Sequence, residues 1–130
     1  MITVHSRRAA SEVMDMVGES LPGTVILHWF SGSLQITERA LERGLFFSVN
    51  PSMLTNEKAR RLVAKIPLCK LLTESDGPFI GIEQAPVRPR DVERVVTGLA
   101  ELKGLDQELI ADTLFGNLRA ALAVKPAEDR

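Results

Sequence analysis

Three residues with metal-ligand chemistry stand at the ends of three apolar runs. Ile2-Thr3-Val4 ends on His5, Val25-Ile26-Leu27 ends on His28, and Leu71-Leu72-Thr73 leads through Glu74-Ser75 to Asp76. Gly77-Pro78 follows Asp76 directly. Pro78 has no N–H to continue a strand ladder, and it disfavours helix at the residue before it. Asp76 is therefore expected at the C-terminal tip of a strand, where barrels of alternating strands and helices carry their chemistry. Imidazole nitrogen and carboxylate oxygen together suit zinc and related divalent ions. Each residue also has a plainer reading. Either histidine could bond a neighbouring backbone group, Asp76 could be a turn residue, and Glu74 could be solvated or paired with an arginine. Their shared place at strand ends favours half of a metal site. Three ligands are too few for a two-metal centre, which usually adds bridging carboxylates.

The intervening segments are those needed to bring these tips together. After His5, Ser6 is a candidate helix cap, and Ala9, Val13, Val17 and Leu21 recur at four-residue spacing until Pro22-Gly23. Thr24–Leu27 is the second strand, and Trp29–Ser33 is a loop whose Ser33 caps a second helix with Leu34, Thr37, Ala40 and Leu41 on one side. Gly44 stops that helix. Leu45–Val49 is the third strand, ended by Asn50-Pro51-Ser52. Thr55 is expected to cap a third helix, with Glu57 in its first turn and Ala59, Leu62, Val63 and Ile66 inward. Pro67 closes the helix and Leu68–Thr73 is the fourth strand. A loop runs to about Pro89. A fourth helix covers about Arg90–Lys103, stopped by Gly104, and Asp106 caps a last helix that buries Leu109, Ile110, Leu114, Leu118 and Leu122.

The pattern is strand–helix repeated, with a further helix at the end. The strands are apolar, as suits a parallel sheet covered on both faces. Such crossovers are right-handed, so the strands should lie side by side in chain order. Closed (β/α)8 barrels take about 250 residues. The 130 residues here are expected to form an α/β half of a TIM-type barrel: four parallel strands with helices plus a C-terminal helix, over residues 1–123, followed by a polar tail, 124–130. Met1 opens directly on a strand, which is unusual for a complete domain.

Composition constrains function mainly by exclusion. Hydrophobic residues make up 45% and charged residues 25%, ordinary values for a globular domain. With a net charge of -1, the chain has no long-range pull toward nucleic acid, so any such contact must be local. Cys69 is the single cysteine, which excludes a disulfide framework and fits a reducing cytoplasm. No apolar run approaches the roughly 20 residues of a membrane span, and no signal peptide is recognisable. Arg7 stands two residues beyond His5, near the expected mouth. Most other arginines read as solvated helix faces. Trp29 and Phe30 read either as core or as a stacking surface for a base at the mouth.

Taken together, His5-Ser6-Arg7-Arg8-Ala9, His28-Trp29-Phe30-Ser31-Gly32-Ser33 and Glu74-Ser75-Asp76-Gly77-Pro78 resemble the C-terminal half of the TatD family of metal-dependent hydrolases. Asn117, in Phe115-Gly116-Asn117-Leu118-Arg119, matches that family's C-terminal asparagine. Within the family the three motifs look closest to the TatD-like nuclease of the Qat anti-phage system. The resemblance implies an amidohydrolase-like barrel that hydrolyses DNA phosphodiesters with divalent ions (zinc, magnesium or manganese). It implies His5, His28 and Asp76 as metal ligands after the fifth, sixth and eighth strands, with Asp76 also taking a proton from the attacking water. Glu74 is the acidic partner in the same motif. Arg7, Trp29, Ser31 and Glu74 are the candidate substrate contacts. The family's first-strand His-x-His pair and its bridging glutamate are not among these residues. The expectation is a fragment inactive without an N-terminal half, with that half, a second copy or other Qat proteins as partners and no membrane. The rival expectation is a half-barrel that serves only as an interaction or dimerisation module, through its unpaired strand edges.

Overall fold

The computed structural model describes residues 1–17 and 21–123. Four parallel strands form one sheet in the order β1-β2-β3-β4: β1 Ile2–His5, β2 Val25–His28, β3 Phe46–Val49 and β4 Leu71–Thr73. The register pairs His5 with His28, His28 with Ser48, and Val49 with Thr73. This is the expected α/β architecture, an open sheet without barrel closure. A small antiparallel hairpin, β5 Gly81–Ile82 with β6 Ala85–Pro86, interrupts what reads in sequence as a long loop.

The helices are α1 Ala10–Val17, α2 Leu34–Glu42, α3 Pro51–Thr55, α4 Glu57–Lys65, α5 Val92–Lys103 and α6 Gln107–Ala123. Ser33 caps α2 as expected, accepting a hydrogen bond from the Ile36 N–H at 3.2 Å. Several boundaries differ from the sequence reading. Ser6 does not cap α1: its hydroxyl donates to the His28 carbonyl at 3.0 Å and ties β1 to β2. Asn56, not Thr55, caps α4, accepting from the Ala59 N–H at 3.0 Å. Thr55 instead ends α3, a five-residue helix too short to show periodicity. Leu68–Lys70 is a 3-10 turn, so β4 begins at Leu71, and Cys69 is exposed. Pro89–Asp91 is likewise a 3-10 turn, and α5 starts at Val92. Leu21 is exposed, and the expected helix between Val17 and Leu21 runs through residues outside those described. The 124–130 tail also lies outside them. No helix among the described residues is long and apolar enough to cross a membrane.

Side chains alternate across a strand, so each face of the sheet collects every second residue. Leu27, Phe47, Val49 and Leu71 point into the main core with α1, α2, α4 and α5, and each has 0% exposure. Phe30 joins them, its ring edge-on to Phe47 with 5.1 Å between centroids. The opposite face carries Ile26, Phe46 and Leu72, covered by Ala121 of α6. The buried stripe of α6 is Ile110, Leu114, Asn117 and Ala121. Leu109, Leu118 and Leu122, expected inside, are exposed. Three hydrogen bonds from two side chains hold α6 in this rotation. The Asn117 amide donates to the carbonyls of Leu68 at 2.7 Å and Leu71 at 2.8 Å. The Thr24 hydroxyl donates to the Ala121 carbonyl at 2.6 Å.

Candidate metal centre

The second face of the sheet ends at its C-terminal rim in polar side chains. Register places His5, His28 and Ser48 in one row, and Asn50 and Glu74 lie one pleat further along. The His28 imidazole is the centre of the group. Its Nε2 is 2.8 Å from Asp76 Oδ1, and its Nδ1 is 2.6 Å from Glu74 Oε2. The His5 ring lies beside it, with centroids 5.2 Å apart. The three expected ligands thus share one rim, with His28 and Asp76 in contact and His5 adjacent.

Glu74 is fixed on every side. Its carboxylate accepts from the Ser48 hydroxyl and from the Asn50 amide at 2.8 Å, and it faces His28. Burial pushes its pKa above the ordinary range. The Ser48 bond, the His28 charge and the Asn50 bond pull it back down, while the charge of Asp76 adds to the rise. Asn50 does two jobs from a fully buried position. Its Nδ2 holds Glu74, while its Oδ1 accepts from the Met53 N–H at 3.1 Å and caps α3. In the sequence Asn50 reads as a strand stop, and nothing there singles out Ser48. The available signal was position: Asn50 ends the third strand just as His5 and His28 end the first two.

Local backbone shape serves the same rim. Arg8, Trp29 and Asp76 adopt left-handed φ angles of 60°, 47° and 50°. Non-glycine residues there carry strain of about 1–3 kcal/mol each, and such strain collects at functional sites. Gly77 backs Asp76 so closely that a Cβ would sit 1.8 Å from the Val87 carbonyl oxygen. No side chain is admissible at 77. Trp29 and Phe30 divide the two readings offered for them. Phe30 is core, whereas Trp29 is half-buried at the rim, edge-on to His5 at 6.4 Å and covered by the Arg7 guanidinium at 4.3 Å from its ring centre. Ser31 accepts from the Arg8 N–H at 2.8 Å, locking the β1 and β2 loops together.

The donor set fits a divalent ion in part. Nε2 of His28 and Oδ1 of Asp76 face each other at a spacing two ligands of one ion can adopt, and Glu74 fixes the other ring nitrogen, as carboxylates do behind ligating histidines. No cluster of three or more His, Cys, Asp or Glu side chains poised to enclose an ion occurs among the described residues. The chain offers part of a coordination shell.

The TatD-related DNase family profile matches residues 1–123. The chain belongs to that family. It is 35% identical over 122 residues to the uncharacterized metal-dependent hydrolase YjjV of Escherichia coli, covering 89% of this chain and 47% of YjjV. It is 28% identical over 117 residues to human deoxyribonuclease TATDN3, covering 89% of this chain and 43% of that protein. The crystal structure of the E. coli TatD homologue YjjV superposes with a TM-score of 0.82 at 33% identity, covering 92% of this chain and 49% of that one. A TatD-family hydrolase of Entamoeba histolytica superposes at 0.80 with 15% identity, which speaks for the fold alone. The chain spans about half the length of the curated relatives it matches.

Proposed function

We propose that this chain supplies the strand-five-to-eight half of the active site of a TatD-type, divalent-metal-dependent DNA phosphodiesterase. The observation that carries the reading is the His28 imidazole held between Glu74 and Asp76 on the rim where His5 also ends. A degenerate module would have no need of a buried, fully bonded carboxylate behind a histidine. His5, His28 and Asp76 would hold the ion. When bound, it lowers the pKa of a water and offsets charge on the phosphate oxygens. Asp76 accepts the proton released by the attacking water. Glu74 is a positioning residue: Ser48, Asn50 and His28 occupy its carboxylate, so it fixes the ligating tautomer instead of touching substrate. Arg7, stacked on Trp29, and Ser31, bonded to the Arg8 N–H, are the substrate contacts in this reading. The three motifs also support the Qat anti-phage assignment within the family. An N-terminal half carrying the remaining ligands pairs along the edges of β1 and β4, with self-association or other Qat proteins as the competing outcomes.

A nuclease assay with manganese, magnesium or zinc tests this, run with and without an N-terminal half supplied in trans. The lone chain is expected to bind the ion weakly and to cleave little. Mixing should restore cleavage, and His5→Ala, His28→Ala and Asp76→Ala should each abolish it. Vigorous cleavage by the lone chain that survives His28→Ala would overturn the assignment.

A further inference from the structure

The sheet is open at both sides. Among the described residues β1 pairs only with β2, and β4 only with β3. Each outer edge therefore presents backbone N–H and C=O groups without a strand partner. The two edges differ in a complementary way. β1 stands bare, with Met1 and Ile2 60% and 48% exposed at its start. β4 borders a cavity of about 470 Å³. Its lining joins Leu72 and Thr73 of β4 to Val92 and Val96 of α5 and to Phe115 and Leu118 of α6. Phe115 is 63% exposed there. One edge is an apolar strand without a cover, and the other is an apolar cover without its strand. β1 has 4 residues and β4 has 3, so the two match in length.

We propose that a second copy of this chain docks its β1 on the β4 edge and offers its own β4 edge to β1 in return. A two-fold axis along the barrel makes the two joints identical. It also makes them parallel, as the three existing strand pairings are. Four strands taken twice give eight, the number that closes a TIM-type barrel. The curvature agrees, since the chain superposes on about half of the E. coli homologue YjjV. The inner layers agree as well. A barrel layer takes four side chains from alternate strands. Ile26 of β2 and Leu72 of β4 supply two, and the second copy supplies the same two. At the rim the axis sets a second His5, His28 and Asp76 across the mouth from the first. The interior of an eight-stranded barrel is just wide enough for side chains. Four imidazoles and two carboxylates meet there, whereas one chain offers only part of a shell. The dimer then holds zinc with side chains of both copies. This second part rests on the metal-rim reading above, though on no particular substrate. The second copy takes the edges that the N-terminal half takes in the reconstituted enzyme, so the two compete. The weak ion binding expected of the lone chain is that of its monomer.

Sedimentation velocity of the full chain tests this, run from low to high micromolar concentration in EDTA and in zinc. A monomer–dimer equilibrium is expected in both. Zinc should lower the dimer dissociation constant at least about tenfold, because an ion that binds the dimer better stabilises it by mass action. By the same linkage, zinc affinity should rise with protein concentration. Phe115→Lys places a charge in the trough and should weaken the dimer at least about tenfold in both conditions. Circular dichroism checks that this exposed position leaves the fold intact. His28→Ala should still dimerise in EDTA and should lose the effect of zinc. Cys69→Ser removes the exposed thiol, a zinc ligand outside the rim, and should change nothing. A monomer at every concentration, assemblies that grow beyond the dimer, or a dimer unmoved by Phe115→Lys overturns the two-fold joint. A dimer that zinc does not tighten, or tightens equally in His28→Ala, overturns the shared metal rim. Cleavage by the reconstituted enzyme beside a chain that never dimerises overturns this inference alone. A zinc-linked dimer beside a reconstituted enzyme that never cleaves overturns the phosphodiesterase reading alone.

Discussion

The two faces of the one sheet are built to different ends. Leu27, Phe47 and Leu71 lie side by side on the helix-covered face, without a polar atom among their side chains and without exposure. One residue along each strand, the other face carries Ile26, Phe46 and Leu72, then His28, Ser48 and Glu74 towards the rim. A cavity of about 470 Å³ remains between that face and α6, reaching from Thr3 and Ile26 up to His28 and Glu74. A period of two therefore lets one set of strands finish a core on one side and hold chemistry on the other. The finished face tolerates no loss of volume. The chemical face is held instead by hydrogen bonds and by a single helix.

The largest contrast should appear in stability. Phe47 is fully buried in the main core and meets Phe30 edge-on. Phe47→Ala should cost about 3–5 kcal/mol, enough to unfold much of a marginal domain. Phe46 packs in the smaller cluster, with the Lys70 ammonium 4.7 Å from its ring centre. Phe46→Ala should cost less, about 2 kcal/mol, because it packs in a cluster of four buried residues, two of which, Ile26 and Leu72, line the cavity under α6. Urea midpoints would settle it, and equal losses would remove the distinction between the faces.

The next effect belongs to the chemical face. Glu74→Gln is nearly isosteric, yet it replaces an acceptor with an NH2 group where Ser48, Asn50 and His28 all present donors. One donor pair must then clash, or the imidazole must change tautomer. In the reconstituted enzyme, activity should fall about ten- to hundredfold, the usual cost of removing an outer partner from a ligating histidine. The unfolding midpoint should move far less than for Phe47→Ala. A Glu74→Gln enzyme of full activity would show that Glu74 does not position His28.

Asn117→Asp tests the bonds that hold α6 over the chemical face. The Asn117 amide donates to two backbone carbonyls, and a carboxylate can donate to neither. The buried acceptors left unpaired should cost about 1–3 kcal/mol. Unfolding that is unaffected by Asn117→Asp would mean that α6 is held by apolar contact alone.

The sheet was legible because its four strands are apolar runs closed by His5, by His28, by Asn50-Pro51 and by the turn at Asp76-Gly77-Pro78. Strand order followed from handedness. The ligand residues were legible for the same reason, since parallel strands put all their C-terminal tips on one rim. The second layer of the site was not. Ser48 and Asn50 are ordinary residues for a strand and its stop, and only three-dimensional register brings them to Glu74. The rotation of α6 is not legible because its leucines occur on several sides of the helix. The buried stripe instead follows Asn117 and Ala121, whose bonds to Leu68, Leu71 and Thr24 no hydrophobic pattern reveals. At Leu68-Cys69-Lys70, the apolar run concealed a turn that precedes β4.

The smallest effect sharpens the comparison through charge. On the helix-covered side, Lys103 ends α5 with its ammonium donating to the carbonyls of Val63 at 3.2 Å, Ala64 at 2.9 Å and Ile66 at 2.7 Å. It thereby caps the C-terminus of α4, where a cation also meets the favourable end of the helix dipole. Partial burial lowers its pKa from the ordinary lysine value of 10.5. A lowered folded-state pKa means that the unfolded chain holds more protons between that value and 10.5, so stability from this group rises with pH across the window and is lost as pH falls back through it. The side chain remains substantially in water, so the effect is small and screened by salt. Lys103→Met keeps the apolar stem and removes the cap, at a cost of about 1 kcal/mol near neutrality. Urea midpoints for both proteins, measured from neutral pH to above 10, isolate the group by difference. The gap between the parent and Lys103→Met should widen in the parent's favour as the pH enters the window. A gap independent of pH would show that the three carbonyls fully offset the desolvation of the ammonium. In that case Lys103, like Glu74, would be a charge held by its hydrogen bonds, and the two sides of the sheet would handle charge in the same way.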